Sequence, residues 1–106
     1  MNEYLCLLRL TPRLHDPNAW TPDDEALVSD HFERLQGWLA EGRLILAGRT
    51  QEAGERALGL VIFRAEDKHE AELLATSDPA VVGGVMTAEC RPYRVALMAH
   101  GDGAQD

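Results

Sequence analysis

The chain has 106 residues, 45% of them hydrophobic, with 18 acidic and 10 basic side chains and a formal net charge of −8. That size fits one domain with a modest core, which gains from self-association. The acidic balance argues against a nucleic-acid backbone or an anionic membrane as partner, and no apolar run approaches the roughly 18 residues of a membrane span.

The opening MNEYLCLLRL carries an acid before its apolar residues and no basic segment, so it reads as a first strand rather than a signal peptide. Residues 4–10 are apolar at both parities, the pattern of a strand covered on both faces. Residues 11–20, TPRLHDPNAW, form a loop with two prolines. His15 and Asp16 are neighbours there, a poor arrangement for a dyad, and read as solvated or as part of a lid over a site.

Residues 21–41 predict a capped helix. Thr21 is a good N-cap, Pro22 takes the first helical position, and Asp24 stands where the acid of a capping box belongs. Asp23, Asp24 and Glu25 put negative charge at the positive end of the helix dipole. Val28, Phe32, Leu35 and Leu39 make an apolar face, and Gly42 supplies a left-handed stop. His31 falls about 40–60° around the helix from Val28 and Leu35, at the edge of that face. Two readings stand there: a half-buried histidine satisfied by one hydrogen bond, or a working residue in a cleft.

Residues 44–50 predict a second strand, in which Gly48 marks a bulge or a close backbone approach. Residues 51–56 are a polar turn and 57–65 a third strand, so the two strands form a hairpin. Residues 67–77 predict a second helix, capped by Asp67 with Glu70 three residues on, and with Ala71, Leu73 and Leu74 inward. His69 falls among acids in its first turn and reads as exposed. The helix breaks at Asp78-Pro79, because the residue before proline avoids helical angles. Residues 80–84 read as a small-residue turn. Residues 85–98 contain the last strand, with Pro92 implying an edge or a bulge. The tail from residue 100 has no apolar anchor and is expected to be disordered, leaving 1–99 as the domain.

Cys6 and Cys90 are too few for a disulfide framework and lack metal spacing, so they read as reduced thiols in a cytoplasmic protein. They could face each other on adjacent first and fourth strands, where packing is the expected role. Gly83-Gly84 lacks the spacing of a phosphate-binding loop, and neither a cofactor nor a metal is expected.

The order is β-α-β-β-α-β. It predicts an α+β fold: a ferredoxin-like antiparallel sheet in the order 4-1-3-2 with both helices on one face. The two strands that are apolar at both parities are then the central pair. Since the helices cover one face, a second copy of the chain is expected on the other, as a homodimeric α+β barrel.

Downstream of His31 comes LQGWLAEGRLILAGRT, and later TSDPAVVGGVMTAECRPYRV. Their order and spacing resemble the YCII-related family of small dimeric α+β barrel proteins, over nearly the whole chain from Tyr4 to about Leu97. The resemblance implies a histidine and an aspartate that meet between sheet and helices as an acid–base pair, and these match His31 and Asp78. Where the family often carries a bulky aromatic after Asp-Pro, this chain has Ala80, which widens the pocket. At least one relative is a dehydrochlorinase of a chlorinated hydroxyquinol.

A carboxylate beside an imidazole accepts one ring N–H, fixes the tautomer, and leaves the other nitrogen to take or give a proton. That suits a cofactor-independent elimination, isomerisation or enolisation of a small oxygenated or aromatic compound, with Arg49 or Arg91 binding an anionic group. Alternatively Asp78 caps the turn at 80–83 and His31 packs. The barrel is then a non-catalytic module that binds a small molecule or regulates a partner.

Overall fold

The computed structural model describes residues 1–99, so the disordered tail expected for residues 100–106 lies outside the described residues. The order along the chain is β1 (Asn2–Leu10), α1 (Pro22–Ala40), β2 (Leu44–Arg49), β3 (Gly59–Ala65), α2 (Lys68–Thr76), α3 (Pro79–Val82) and β4 (Met86–Tyr93). The strands form one antiparallel sheet in the order β2-β3-β1-β4, the predicted arrangement, with β1 and β3 central. The fold is therefore α+β and ferredoxin-like.

Alternation along the central strands divides the sheet into two sides. Tyr4, Cys6 and Leu8 of β1 and Val61, Phe63 and Ala65 of β3 are buried on one side against Leu35 and Trp38 of α1 and Ala71 and Ala75 of α2. The Trp38 and Phe63 rings lie 5.2 Å apart at a tilt of 36° and anchor this core. On the other side Leu5, Leu7, Leu60 and Ile62 remain half-buried, with no helix over them.

The helix α1 begins as predicted. Thr21 Oγ1 accepts from the Asp24 N–H at 3.1 Å and the Asp24 carboxylate accepts from the Thr21 N–H at 2.9 Å, a complete capping box. Its buried face differs from the expected one. Phe32 and Leu39 are exposed, and the inward residues are Leu35 and Trp38, with Val28, His31 and Arg34 half-buried beside them. The steps 28, 31, 35 and 38 make this the truer stripe, and Trp38 wins over Leu39 because its ring stacks on Phe63. His31 thus lies on the stripe rather than at its edge.

Other expectations shift in similar ways. Leu73 is exposed, and α2 turns the small Ala71 and Ala75 inward, where the helix rests closely on the sheet. The bulge in β2 sits between Leu44 and Leu46, not at Gly48, whose missing side chain would meet nothing within 4 Å. Residues 79–82, read as a turn, wind into the short helix α3. Pro92 lies on the edge strand β4, opposite Tyr4, as its missing N–H requires.

The segment between β1 and α1 is ordered into short 3-10 turns at Pro12–His15 and Pro17–Ala19. Leu14 is 1% exposed and packs with Ala80 and Val85 in a second small core. The Arg13 guanidinium forks onto the Asp24 carboxylate at 3.0 and 2.9 Å. The Trp20 indole donates to the Leu14 carbonyl at 3.3 Å. This segment is a fixed wall at the start of α1.

Candidate functional site

Two elements bring the predicted pair together. His31 comes from the middle of α1, on the inward stripe. Asp78 comes from the junction of α2 and α3, where Pro79 keeps it out of helical angles at φ −61°, ψ 135°. That conformation makes Asp78 the N-cap of α3 and turns its side chain toward α1. One carboxylate oxygen, Oδ1, accepts from the Ala80 N–H at 2.8 Å. The other, Oδ2, lies 2.6 Å from His31 Nδ1. The two readings offered by the sequence, a cap and an imidazole partner, are satisfied by the same carboxylate, one oxygen each.

Both side chains are nearly buried, 12% exposed for His31 and 6% for Asp78. A carboxylate only accepts, so His31 Nδ1 is the nitrogen that donates, and in the neutral imidazole the free lone pair is then on Nε2. Burial works against the charge on Asp78. The hydrogen bond and charge of His31, the Ala80 N–H and the Arg34 charge together outweigh it, and hold the carboxyl below the usual carboxylate range. Asp78 is therefore ionised wherever the protein works near neutrality.

Arg34 is the residue that sequence reasoning missed. Its Nη1 donates to the Leu74 carbonyl at 2.8 Å and stands 3.7 Å from Asp78 Oδ2. Its Nη2 donates to Ser77 Oγ at 2.9 Å, and its guanidinium lies 4.6 Å from the centre of the Trp38 ring. Burial lowers the Arg34 pKa and the Asp78 charge partly restores it; an arginine remains charged throughout. The available signal was its position three residues after His31, a cation on the inward stripe of α1.

His31 also lines a cavity of about 670 Å³. That is within the roughly 300–1,000 Å³ of small-molecule sites. Its walls are Leu8, Leu10, Trp20, Val28, Phe32, Leu35, Val61 and Met86, mostly apolar, with Glu25, Ser29 and Arg49 as polar groups. Arg49 pairs with Gly59, and Gly59 pairs with Leu8, so Arg49 stands on the helix-covered side of the sheet. It is exposed, and no acid among the described residues lies within ion-pair distance of it.

Arg91 is not brought to this place. It pairs with Leu5, which puts it on the opposite side of the sheet, and it donates to Glu89 Oε2 at 2.6 Å. The loop residues His15 and Asp16 do not join the pair either. The His15 Nε2 lies 3.3 Å from the Leu10 carbonyl, and Asp16 accepts from the Asn18 N–H at 2.9 Å. His69 is exposed in the first turn of α2. Among the described residues no three histidine, cysteine or carboxylate side chains gather as a metal site, and no helix is long and apolar enough to cross a membrane.

The fold is a ferredoxin-like α+β layer, and His31 and Asp78 meet between its helices. The sequence pattern of the YCII-related domain matches residues 3–93, and the chain belongs to that family. Among solved structures it is similar in fold to 5-chloro-2-hydroxyhydroquinone dehydrochlorinase (TftG) from Burkholderia phenoliruptrix, in complex with 2,5-dihydroxybenzoquinone. The two superpose with a TM-score of 0.58 at 14% identity, over 87% of this chain and 93% of that one, a likeness of fold alone. No curated protein sequence matches the chain.

Proposed function

We propose that the chain is a cofactor-independent enzyme that moves a proton on a small oxygenated or aromatic compound, by elimination or isomerisation. The observation that carries this reading is the buried 2.6 Å pair of His31 and Asp78, with His31 reaching the wall of a largely apolar cavity. In it, Nε2 of His31 takes a proton from the substrate. The released electron pair forms the new double bond, with loss of a leaving group in an elimination or return of the proton elsewhere in an isomerisation. Asp78 orients the imidazole and balances the imidazolium that forms. Arg49 binds an anionic group of the substrate; Ala80, expected from the sequence to widen the pocket, is instead fully buried against Leu14 and Val85 and does not line the cavity. The dehydrochlorinase of similar fold supports elimination as the first chemistry to try.

The test is turnover of small oxygenated and halogenated aromatics by the wild type and by His31→Ala. General acid–base groups contribute typically about 10²–10⁴-fold, so kcat/KM should fall by that factor while circular dichroism stays unchanged. Undiminished turnover in the variant would remove His31 from the mechanism. A compound bound and returned unaltered by the wild type, across the whole panel, would favour the non-catalytic binding module.

The same reading makes the protein a homodimer, joined through the side of the sheet that lacks helices. Its two free thiols suit a reducing compartment such as the cytoplasm.

A further inference from the structure

Cys6 and Cys90 occupy directly opposed positions on the antiparallel strands β1 and β4. Both side chains project to the helix-covered side, Cys6 buried between Tyr4 and Leu8 in the strand alternation and Cys90 half-buried under α2. The Cys90 thiol donates to the Ala71 carbonyl at 3.6 Å. Directly opposed residues on antiparallel strands have Cα atoms about 4.5 or 5.5 Å apart, depending on their place in the ladder. Both separations lie within the roughly 4.4–6.8 Å that a disulfide spans. Two thiols on neighbouring strands, with side chains to the same side, are therefore within reach of each other without a shift of backbone.

We propose that Cys6 and Cys90 form a modification site: a dithiol that a peroxide oxidises to an intramolecular disulfide between β1 and the edge strand β4. The thiols differ in role. Cys90 is the more exposed of the two, and its thiolate is favoured because the Cys6 S–H can donate to it. Cys6 is 3% exposed, and that same hydrogen bond together with burial holds its own proton on. Cys90 is thus the attacking sulfur. It displaces hydroxide from hydrogen peroxide and becomes a sulfenic acid. Cys6 then attacks that sulfur, the S–S bond forms, and water leaves. The two thiols lose two electrons and the peroxide gains them, giving one disulfide and two waters.

The position of Cys6 gives the bond a route to the site. Cys6 lines the same small hollow as His31, Arg34 and Asp78. Oxidation also removes the hydrogen that Cys90 gives to Ala71, so α2 loses a tie about two turns before Asp78. The bond closes a long loop, which constrains the unfolded chain.

The experiment treats the reduced wild-type protein with hydrogen peroxide and maps its peptides by mass spectrometry without reduction. The expected result is a Cys6–Cys90 linked peptide, reversed by dithiothreitol, and an oxidised protein with a higher urea midpoint than the reduced one. In Cys6→Ser, Cys90 should instead hold a sulfenic acid that dimedone traps. Cys90→Ser should leave Cys6 unreacted. Sulfinic acid on Cys90 with Cys6 still free, disulfides only between chains, or no reaction at peroxide levels that oxidise an exposed thiol would each overturn the proposal.

Discussion

At the scale of the residue, the site depends on keeping Asp78 ionised inside the protein. The sequence reading reached the His31–Asp78 pair through family resemblance, since nothing local to residue 31 or residue 78 announces the other, 47 positions away. What it could reach by local physics was the break at Pro79, which fixes the backbone of Asp78 and so frees its second oxygen for His31. The balance around Asp78 carries a pH prediction. Its folded pKa is depressed, so between that value and the unfolded one, about 3.9, the unfolded chain binds more protons than the folded one. Stability from this group is complete above about pH 4 and is lost as pH falls through the lower, folded value. Urea midpoints measured from neutrality into acid should therefore fall less steeply below about pH 4 in Asp78→Asn than in the wild type. The amide oxygen of the asparagine can still accept the Ala80 N–H, so the cap of α3 survives. Parallel slopes would mean that Asp78 is not held ionised by its neighbours. Arg34→Met should act in the same direction as Asp78→Asn, because it removes one of the charges that favour the carboxylate.

At the scale of the element, local rules explain most of what was legible. The capping box of α1 was visible in Thr21, Pro22 and Asp24, because a cap is made by residues three apart. The stripe of α1 was misjudged by one position, since periodicity cannot weigh Trp38 against Leu39 until Phe63 is in place across the sheet. The segment 11–20 was the least legible. Its order comes from Arg13 and Leu14 meeting partners 11 and more residues away, and loop composition conceals both. Arg13 is also the main reason that the Asp24 carboxyl is held far below the usual range. These contacts hold the segment beside the cavity, to whose wall it contributes Trp20. Limited digestion with proteinase K checks this. The wild type should resist cleavage within 11–20, and Arg13→Met should be cut there first, while α1 stays capped through Thr21. Equal resistance in both proteins would assign the order of the segment to Leu14 and Trp20 alone.

At the scale of the whole molecule, topology was readable because β1 and β3 are apolar at both parities, and only central strands need that. The structure accounts for one parity, which is buried under α1 and α2. The other parity sets Leu5, Leu7, Leu60 and Ile62 side by side across the two central strands, with Leu46 beside Ile62 on β2 and 48% exposed. Contiguous apolar surface of this kind favours association. At the β4 border of the patch, Glu89 accepts from Arg91 and stands 3.6 Å from Arg9. A border with both signs of charge can meet its own copy across a two-fold axis, as an isologous interface requires. Two such sheets would pack about 10 Å apart, face to face. Light scattering at micromolar concentration should give twice the chain mass for the wild type and the chain mass for Ile62→Glu. Ile62 is half-buried and projects away from the helices, so in a lone chain the new carboxylate can reach water. Between two sheets it would be an unpaired charge in an apolar layer, a cost of several kcal/mol and enough to separate the copies. A wild type that scatters as a single chain would leave this side of the sheet without the second copy proposed for it. A dimer that survives Ile62→Glu would move the interface elsewhere on the molecule.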